Sequence, residues 1–151
     1  VVDCDYDQAG ELLKHIYGPL NPPSTTPQGS YVPFDQSPFI RDLGPDGMAG
    51  EGVVYIPEAC RRQAGCRIHI AYHGCAQNRH RVGDAFIKET GFARWADTNR
   101  LVVLFPQTAT TAINPQACWD WWGYTGRAYL TRSAPQIVAV HRMLEALGRR
   151  P

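Results

Sequence analysis

Two stretches of the 151-residue chain combine residue types suited to chemistry. The first is Ala71-Tyr72-His73-Gly74-Cys75-Ala76-Gln77, which follows the alternating run Arg67-Ile68-His69-Ile70. A His-Gly step that ends a strand and turns toward a helix can aim a backbone N–H at an oxyanion forming during acyl transfer. Gly74 permits a sharp turn, so the N–H of Cys75 or Ala76 can face a pocket. The second is Cys118-Trp119-Asp120-Trp121-Trp122-Gly123-Tyr124. Its four aromatic side chains fit either a satellite hydrophobic cluster beneath a loop or a wall for an apolar or polymeric ligand. A carboxylate set among indoles, as Asp120 is, is expected to accept hydrogen bonds from neighbouring backbone or Trp N–H groups. We read it as structural rather than as a catalytic acid.

The cysteines are Cys4, Cys60, Cys66, Cys75 and Cys118. Cys60, Cys66, His69, His73 and Cys75 offer zinc-ligating types. Strand alternation, however, puts Cys66 on the face opposite His69, His73 and Cys75, and the compact Cys-x2-Cys knuckle is missing. Two disulfides and one leftover cysteine fit better, as in a secreted protein, so no metal site is expected. No Gly-x-Ser-x-Gly elbow occurs. Ser24, Ser30, Ser37 and Ser133 each lie near proline or at a helix start, and none is expected on a strand-to-helix turn. A Cys75–His73 nucleophile pair is disfavoured, because residues two apart at a strand end rarely align as nucleophile and base. His15, His80 and His141 fall on helical or solvent faces, and packing is the default role for His69 and His73. The chain therefore shows no triad of its own.

The elements that must position these residues follow from periodicity and punctuation. Residues 5–17 read as a helix with Ala9, Leu12, Leu13, Ile16 and Tyr17 at helical spacing, capped by Asp3 or Asp5 and stopped by Gly18-Pro19. Residues 31–36 and 52–57 read as short strands bounded by Pro and Gly. Residues 67–73 read as a strand, 81–90 and 92–99 as amphipathic helices broken at Gly91, and 101–105 (LVVLF) as a strand covered on both faces. Residues 107–132 form a long loop, of the kind usually functional inside a compact domain. A helix then starts at Ser133-Ala134-Pro135, with Ile137, Val140, Met143, Leu144 and Leu147 as its buried stripe. The strand–helix–strand unit 67–105 implies a right-handed parallel crossover, and hence α/β architecture.

Composition excludes several classes. Hydrophobic residues make up 44%, enough for a core, and the net charge of +1 gives no electrostatic footprint for nucleic acid. No apolar run approaches the roughly 20 residues of a membrane span. Val1-Val2-Asp3 is neither a translation start nor a signal peptide, so a mature or cut product is expected.

Almost the whole chain resembles secreted poly(3-hydroxybutyrate) depolymerases, most closely over residues 53–147. The matching stretches are VVYIPEAC, GCRIHIAYHGCAQ, VGDAFIKETGFARWADTN, LVVLFPQT, NPQACWDWWGYTG and SAPQIVAVHRMLEALG, with DYDQAGELLKHIYG and PFDQSPFI upstream. The resemblance implies a circularly permuted α/β-hydrolase. Residues 1–151 would be a single unit, the C-terminal half of one such domain, supplying the opening strands and helices of a mixed, mainly parallel sheet. The family's Ser, Asp and His come from the first half, which accounts for the missing triad. By position, the Cys75 backbone N–H becomes an oxyanion donor, and Trp119, Trp121, Trp122 and His73 become substrate-contacting residues. The implied activity is extracellular, cofactor-free hydrolysis of a polyester by a serine-hydrolase mechanism. The alternatives are a feruloyl-esterase-like carboxylesterase and a non-catalytic polymer-binding module. Cys60–Cys66 and Cys75–Cys118 are the expected disulfides, contributing about 2 and about 4 kcal/mol by loop-closure entropy. Cys4 would pair with the absent half or stay free. The strand 67–73 would expose an edge, so a second polypeptide or segment carrying the nucleophile is expected as partner.

Overall fold

A computed structural model describes residues 5–62 and 65–148. The expectations placed on Asp3, Cys4 and the chain start lie outside the described residues. The elements run α1 (Gln8–Tyr17), β1 (Ser30–Asp35), α2 (Ser37–Ile40), β2 (Glu51–Ile56), α3 (Glu58–Arg62), β3 (Arg67–Ile70), α4 (Arg79–Val82), α5 (Ala85–Glu89), α6 (Phe92–Asn99), β4 (Leu101–Phe105) and α7 (Pro135–Gly148). They build one four-stranded mixed sheet in the order β1-β2-β4-β3. β3 and β4 pair in parallel, while β1·β2 and β2·β4 are antiparallel.

Both faces of the sheet are covered, which explains the unbroken apolar run of β4. Val53, Tyr55, Leu101, Val103 and Phe105 pack against α1, α5 and α6 through Leu13, Ile87, Phe92 and Trp95. Leu104, Ile68 and Ile70 pack on the opposite face against Val140 and Met143 of α7. Alternation along β3 therefore sends His69 and His73 toward α5 and α6, and Tyr72 toward α7.

Several boundaries differ from the periodicity reading, each for a physical reason. The N-cap of α1 is Asp7, whose carboxylate accepts the N–H of Gly10 and also the indole N–H of Trp95. That anchor rotates α1 so that Ala9, Gly10 and Leu13 are buried and Ile16 is exposed. Gly10 is required there, because a Cβ would meet the Trp95 ring at 2.5 Å. The segment read as one helix over 81–90 breaks at Gly83, which adopts φ +58° and leaves Val82 at the surface. β3 stops at Ile70, although the Ala71 N–H still donates to the Leu104 carbonyl; β4 ends one residue later, before Pro106, and offers nothing further to pair with. Ile137 is not in the α7 stripe and stays half exposed.

One buried side chain closes the lower corner of the sheet. The Gln36 amide donates to the carbonyls of Ala49 (2.6 Å) and Gln107 (2.9 Å) and accepts the Gln107 N–H at 3.0 Å. It thereby joins the end of β1, the start of β2 and the end of β4. Replacing it with leucine strands the Gln107 N–H and the Ala49 carbonyl, and leaves the Gln107 carbonyl only the Ala49 N–H. Gln36→Leu is expected to lower stability by about 3 kcal/mol, read as a shift in the urea midpoint at unchanged slope. A shift of only a few tenths of a kcal/mol would show that the bracket contributes nothing.

Candidate functional site

The site grows from the end of β3. Parallel register brings residues 71–78 alongside 104–108, and side chains then lock the two segments together. The Thr108 N–H donates to His73 Nε2 at 3.2 Å, and the Asn78 amide donates to the Thr108 carbonyl at 3.0 Å. His73 is buried, and its ring packs against Phe86 and Trp119. Burial lowers its pKa; the contact with the Gly74 carbonyl opposes that only in part. The ring is therefore neutral near pH 7. Since a backbone N–H can only donate, Nε2 is the acceptor, and Nδ1 carries the proton to the Gly74 carbonyl at 2.8 Å.

The turn after His73 is held by several hydrogen bonds. The Gly74 N–H donates to the Gln77 side chain (2.9 Å), the Gln77 N–H returns to the Gly74 carbonyl (3.2 Å), and the Ala76 N–H donates to the Gln116 carbonyl (2.6 Å). The Trp119 indole N–H donates to the His73 carbonyl at 3.1 Å. Ala76 and Ala117 sit at φ +58° and +48°, a left-handed conformation that costs a non-glycine residue about 1–2 kcal/mol each. They flank the Cys75–Cys118 disulfide, which crosses 43 positions of sequence. The Cys75 N–H has no acceptor among the described residues, and Cys75 is solvent-exposed. Ala76, the alternative donor, is spent on Gln116.

The aromatic loop is stitched from inside by amides and one carboxylate. Asn114 bonds both the N–H and the carbonyl of Cys118. Gln136 of α7 accepts the Asp120 N–H and donates to the Tyr124 hydroxyl. Asp120 accepts the N–H groups of Trp122, Gly123, Tyr124 and Thr125 and the Thr125 hydroxyl. Burial pushes its carboxyl up, but the bonds from Thr125, Gly123 and Tyr124 together outweigh this and hold it below the ordinary 3.8. Trp121 is 69% exposed and Trp122 42%, stacked edge-on, with Trp122 continuing onto Tyr124. Trp119 is half-buried against Tyr72 and His73. Beside it opens a cavity of about 430 Å3, lined by Tyr72, Trp119, Leu130 and Ile137 among others. A somewhat larger depression near Arg79 and Gln107 is more polar and offers no comparable apolar wall.

The structure bonds Cys75 to Cys118 and packs Trp119 against His73, while Trp121 and Trp122 pair with each other and Trp122 with Tyr124; it moves one expected residue. His73 does not face a ligand: it is 2% exposed with both ring nitrogens engaged, so direct substrate contact gives way to a role inside the turn. Cys60 and Cys66 are bonded to each other at the mouth of β3. With four cysteines in disulfides, the alternative zinc set has no free thiolates among the described residues. Ser37 is also corrected, since it does open a short helix after a strand. It lies beyond β1, at the opposite edge of the sheet from the turn, bonded to Asp35. Thr108, Asn114 and Gln136 were missed. Only the density of polar residues around the aromatic cluster hinted at them.

The comparisons with known proteins agree among themselves. The chain is 44% identical over 152 residues to the poly(3-hydroxybutyrate) depolymerase of Delftia acidovorans, covering 98% of this chain and 30% of that protein. It is 40% identical over 139 residues to the polyhydroxybutyrate depolymerase of Talaromyces funiculosus, covering 83% and 40%. The crystal structure of PHB depolymerase from Penicillium funiculosum superposes with a TM-score of 0.87 at 37% identity, over 94% of this chain and 48% of that one. A PHB depolymerase variant complexed with R3HB trimer matches equally well. No protein-family model matches. The chain therefore has the fold of α/β-hydrolase-type depolymerases and spans less than half of their length.

The Asp120 carboxylate sets a pH limit for the aromatic loop. Its folded pKa is lowered, so its contribution is complete above the unfolded value near 4 and is lost as pH falls through the folded value. Near-UV circular dichroism of the Trp cluster is expected to hold steady from pH 7 to about 4 and to collapse below it. In Asp120→Ala the collapsed signal should already be present at pH 7. A variant spectrum identical to that of the unaltered protein would show that the carboxylate does not order the loop.

Proposed function

With kinship to poly(3-hydroxybutyrate) depolymerases as the premise, we propose that this chain is one half of an extracellular carboxylic-ester hydrolase acting on poly(3-hydroxybutyrate) or a similar polyester. The observation that carries the reading is the unpaired N–H of solvent-exposed Cys75, a residue tethered by its disulfide to a loop of exposed indoles. A turn fixed by bonds at Gly74, Ala76 and Gln77 that leaves the Cys75 N–H unspent can receive an anion there. The tethered wall supplies flat apolar surface for an aliphatic polyester chain.

The chemistry divides between two halves. A serine of the missing half attacks the ester carbonyl while its histidine takes the hydroxyl proton. The carbonyl π electrons move onto oxygen, and the Cys75 N–H donates to that oxyanion. Collapse expels the alcohol end of the polymer, which leaves with the proton from histidine. Water then hydrolyses the acyl-serine by the same steps in reverse. No cofactor takes part in this sequence.

The nucleophile half is assigned to the free edge of β3, whose only partner among the described strands is β4. That edge carries no proline or lysine, whereas β1 at the other side of the sheet contains Pro33. A second polypeptide, or another segment of the same one, would extend the sheet there and bring its serine to the Cys75 turn.

Two measurements test this. A fluorophosphonate should label the protein when both halves are present and leave residues 1–151 unlabelled when they are supplied alone; labelling of the isolated chain would overturn the two-part reading. Trp121→Ala should lower polymer hydrolysis about tenfold, as for loss of an aromatic anchor, with hydrolysis of a soluble p-nitrophenyl ester nearly unchanged. Undiminished polymer hydrolysis in Trp119, Trp121 and Trp122 single alanine variants would remove the substrate role of the wall.

A further inference from the structure

We propose that His73 is the positioning residue of the oxyanion donor, orienting the Gly74–Cys75 peptide through its Nδ1–H so that the Cys75 N–H points outward. The inference rests on the esterase reading for its catalytic meaning, but its geometry stands apart from it. The Gly74 carbonyl and the Cys75 N–H are the two ends of one planar trans peptide. Holding the carbonyl in one direction holds the N–H in the opposite one. His73 holds it at 2.8 Å from a buried ring, while Gln77 adds a longer contact at 3.2 Å from an exposed segment of the turn.

The ring is in turn fixed at its far side. Nε2 accepts the Thr108 N–H, and the Thr108 hydroxyl is committed to the Ala117 carbonyl at 2.6 Å. Thr108 lies three residues beyond the end of β4, so the line runs from the segment leaving the core strand through the Thr108 N–H and imidazole to the Gly74 carbonyl and the Cys75 N–H. Each bond in it points the same way, and each polarises the next. A donor approaching the carbonyl also makes the N–H at the other end of that peptide a stronger donor. The faces of the ring meet Phe86 of α5 and Trp119 of the aromatic loop, neither of which titrates. The backbone of His73 contributes as well, since its carbonyl is held by the Trp119 indole. The residue therefore secures two successive peptide planes, and the aromatic wall and the oxyanion donor share one mount.

Substitutions separate the two ring nitrogens. Asparagine places a donor near Nδ1 and keeps the bond to Gly74, glutamine reaches the Nε2 position and keeps only the bond to Thr108, and phenylalanine keeps volume and neither bond. In the protein with both halves present, hydrolysis of p-nitrophenyl butyrate should show kcat lowered about 10- to 100-fold in His73→Phe and His73→Gln, with KM within a factor of about two. His73→Asn should recover most of kcat. In 15N-labelled protein, the His73 ring should show the Nδ1–H tautomer at pH 7. The Cys75 amide resonance should move in the phenylalanine and glutamine variants and return toward its original position in asparagine. If phenylalanine does not fold, the asparagine–glutamine pair decides by the same readouts. Equal kcat per folded molecule in asparagine and glutamine, or an unmoved Cys75 amide in glutamine, would overturn the proposal. An unaltered protein with both halves that hydrolyses no ester would instead overturn the esterase reading, and the amide and ring resonances would still decide whether His73 sets the peptide.

Discussion

The parallel pairing of β3 with β4 is the constraint from which the site follows. Its register sets His69 beside Val103 and Ile70 beside Leu104, so the two strands leave the sheet together at the same end. What leaves is the 71–78 turn on one side and Pro106-Gln107-Thr108 on the other. Backbone pairing then ends, and polar side chains take over its work. His73 and Asn78 reach Thr108, while Gln36 reaches Gln107 from the far strand. A slip of one residue in the pairing would turn His73 out of the core and Tyr72 into it, and every one of these bonds would be lost.

A second consequence concerns where rigidity is placed. The aromatic loop contains no helix or strand over residues 109–134, yet its backbone is densely bonded by Asn114, Asp120, Tyr124 and Gln136. These bonds let indole rings face solvent without the segment collapsing over them. Exposed Trp is unfavourable in isolation, and it persists here because the backbone beneath cannot fold it away. The disulfide to Cys75 carries this stiffness to the 71–78 turn. The aromatic loop and the 71–78 turn are thus tied together.

The sheet is asymmetric at its two edges. Both faces of β4 are covered, and β2 is buried from Gly52 to Ile56, so the centre of the sheet is complete. β3 carries Ile68 and Ile70 only partly buried, and Tyr72 beyond them is half exposed. Apolar surface also continues onto Leu130 and Ile137. The sheet is finished at its core and open at the side that carries the 71–78 turn.

The amino-acid sequence by itself determined most of the architecture. Alternation at 67–70, the apolar run 101–105 and the punctuation at Gly18, Gly91 and Pro135 are local signals, and they placed strands and helices within a few residues. The motif His73-Gly74-Cys75 and the cluster Cys118 to Tyr124 were legible as a turn at a strand end and an aromatic loop, because glycine geometry and aromatic density are properties of neighbouring residues. What only the tertiary structure decided was how each side chain is used. His73 looked like a ligand contact; it is a buried strut, because its acceptor partner Thr108 lies 35 positions away. The face of α1 was set by Trp95, which no periodicity within residues 8–17 can report. Thr108, Asn114 and Gln136 carry no motif, and they matter only because folding brings orphaned backbone groups within their reach. Local patterns state which elements form, while the partners of a buried polar group are a property of the closed sheet.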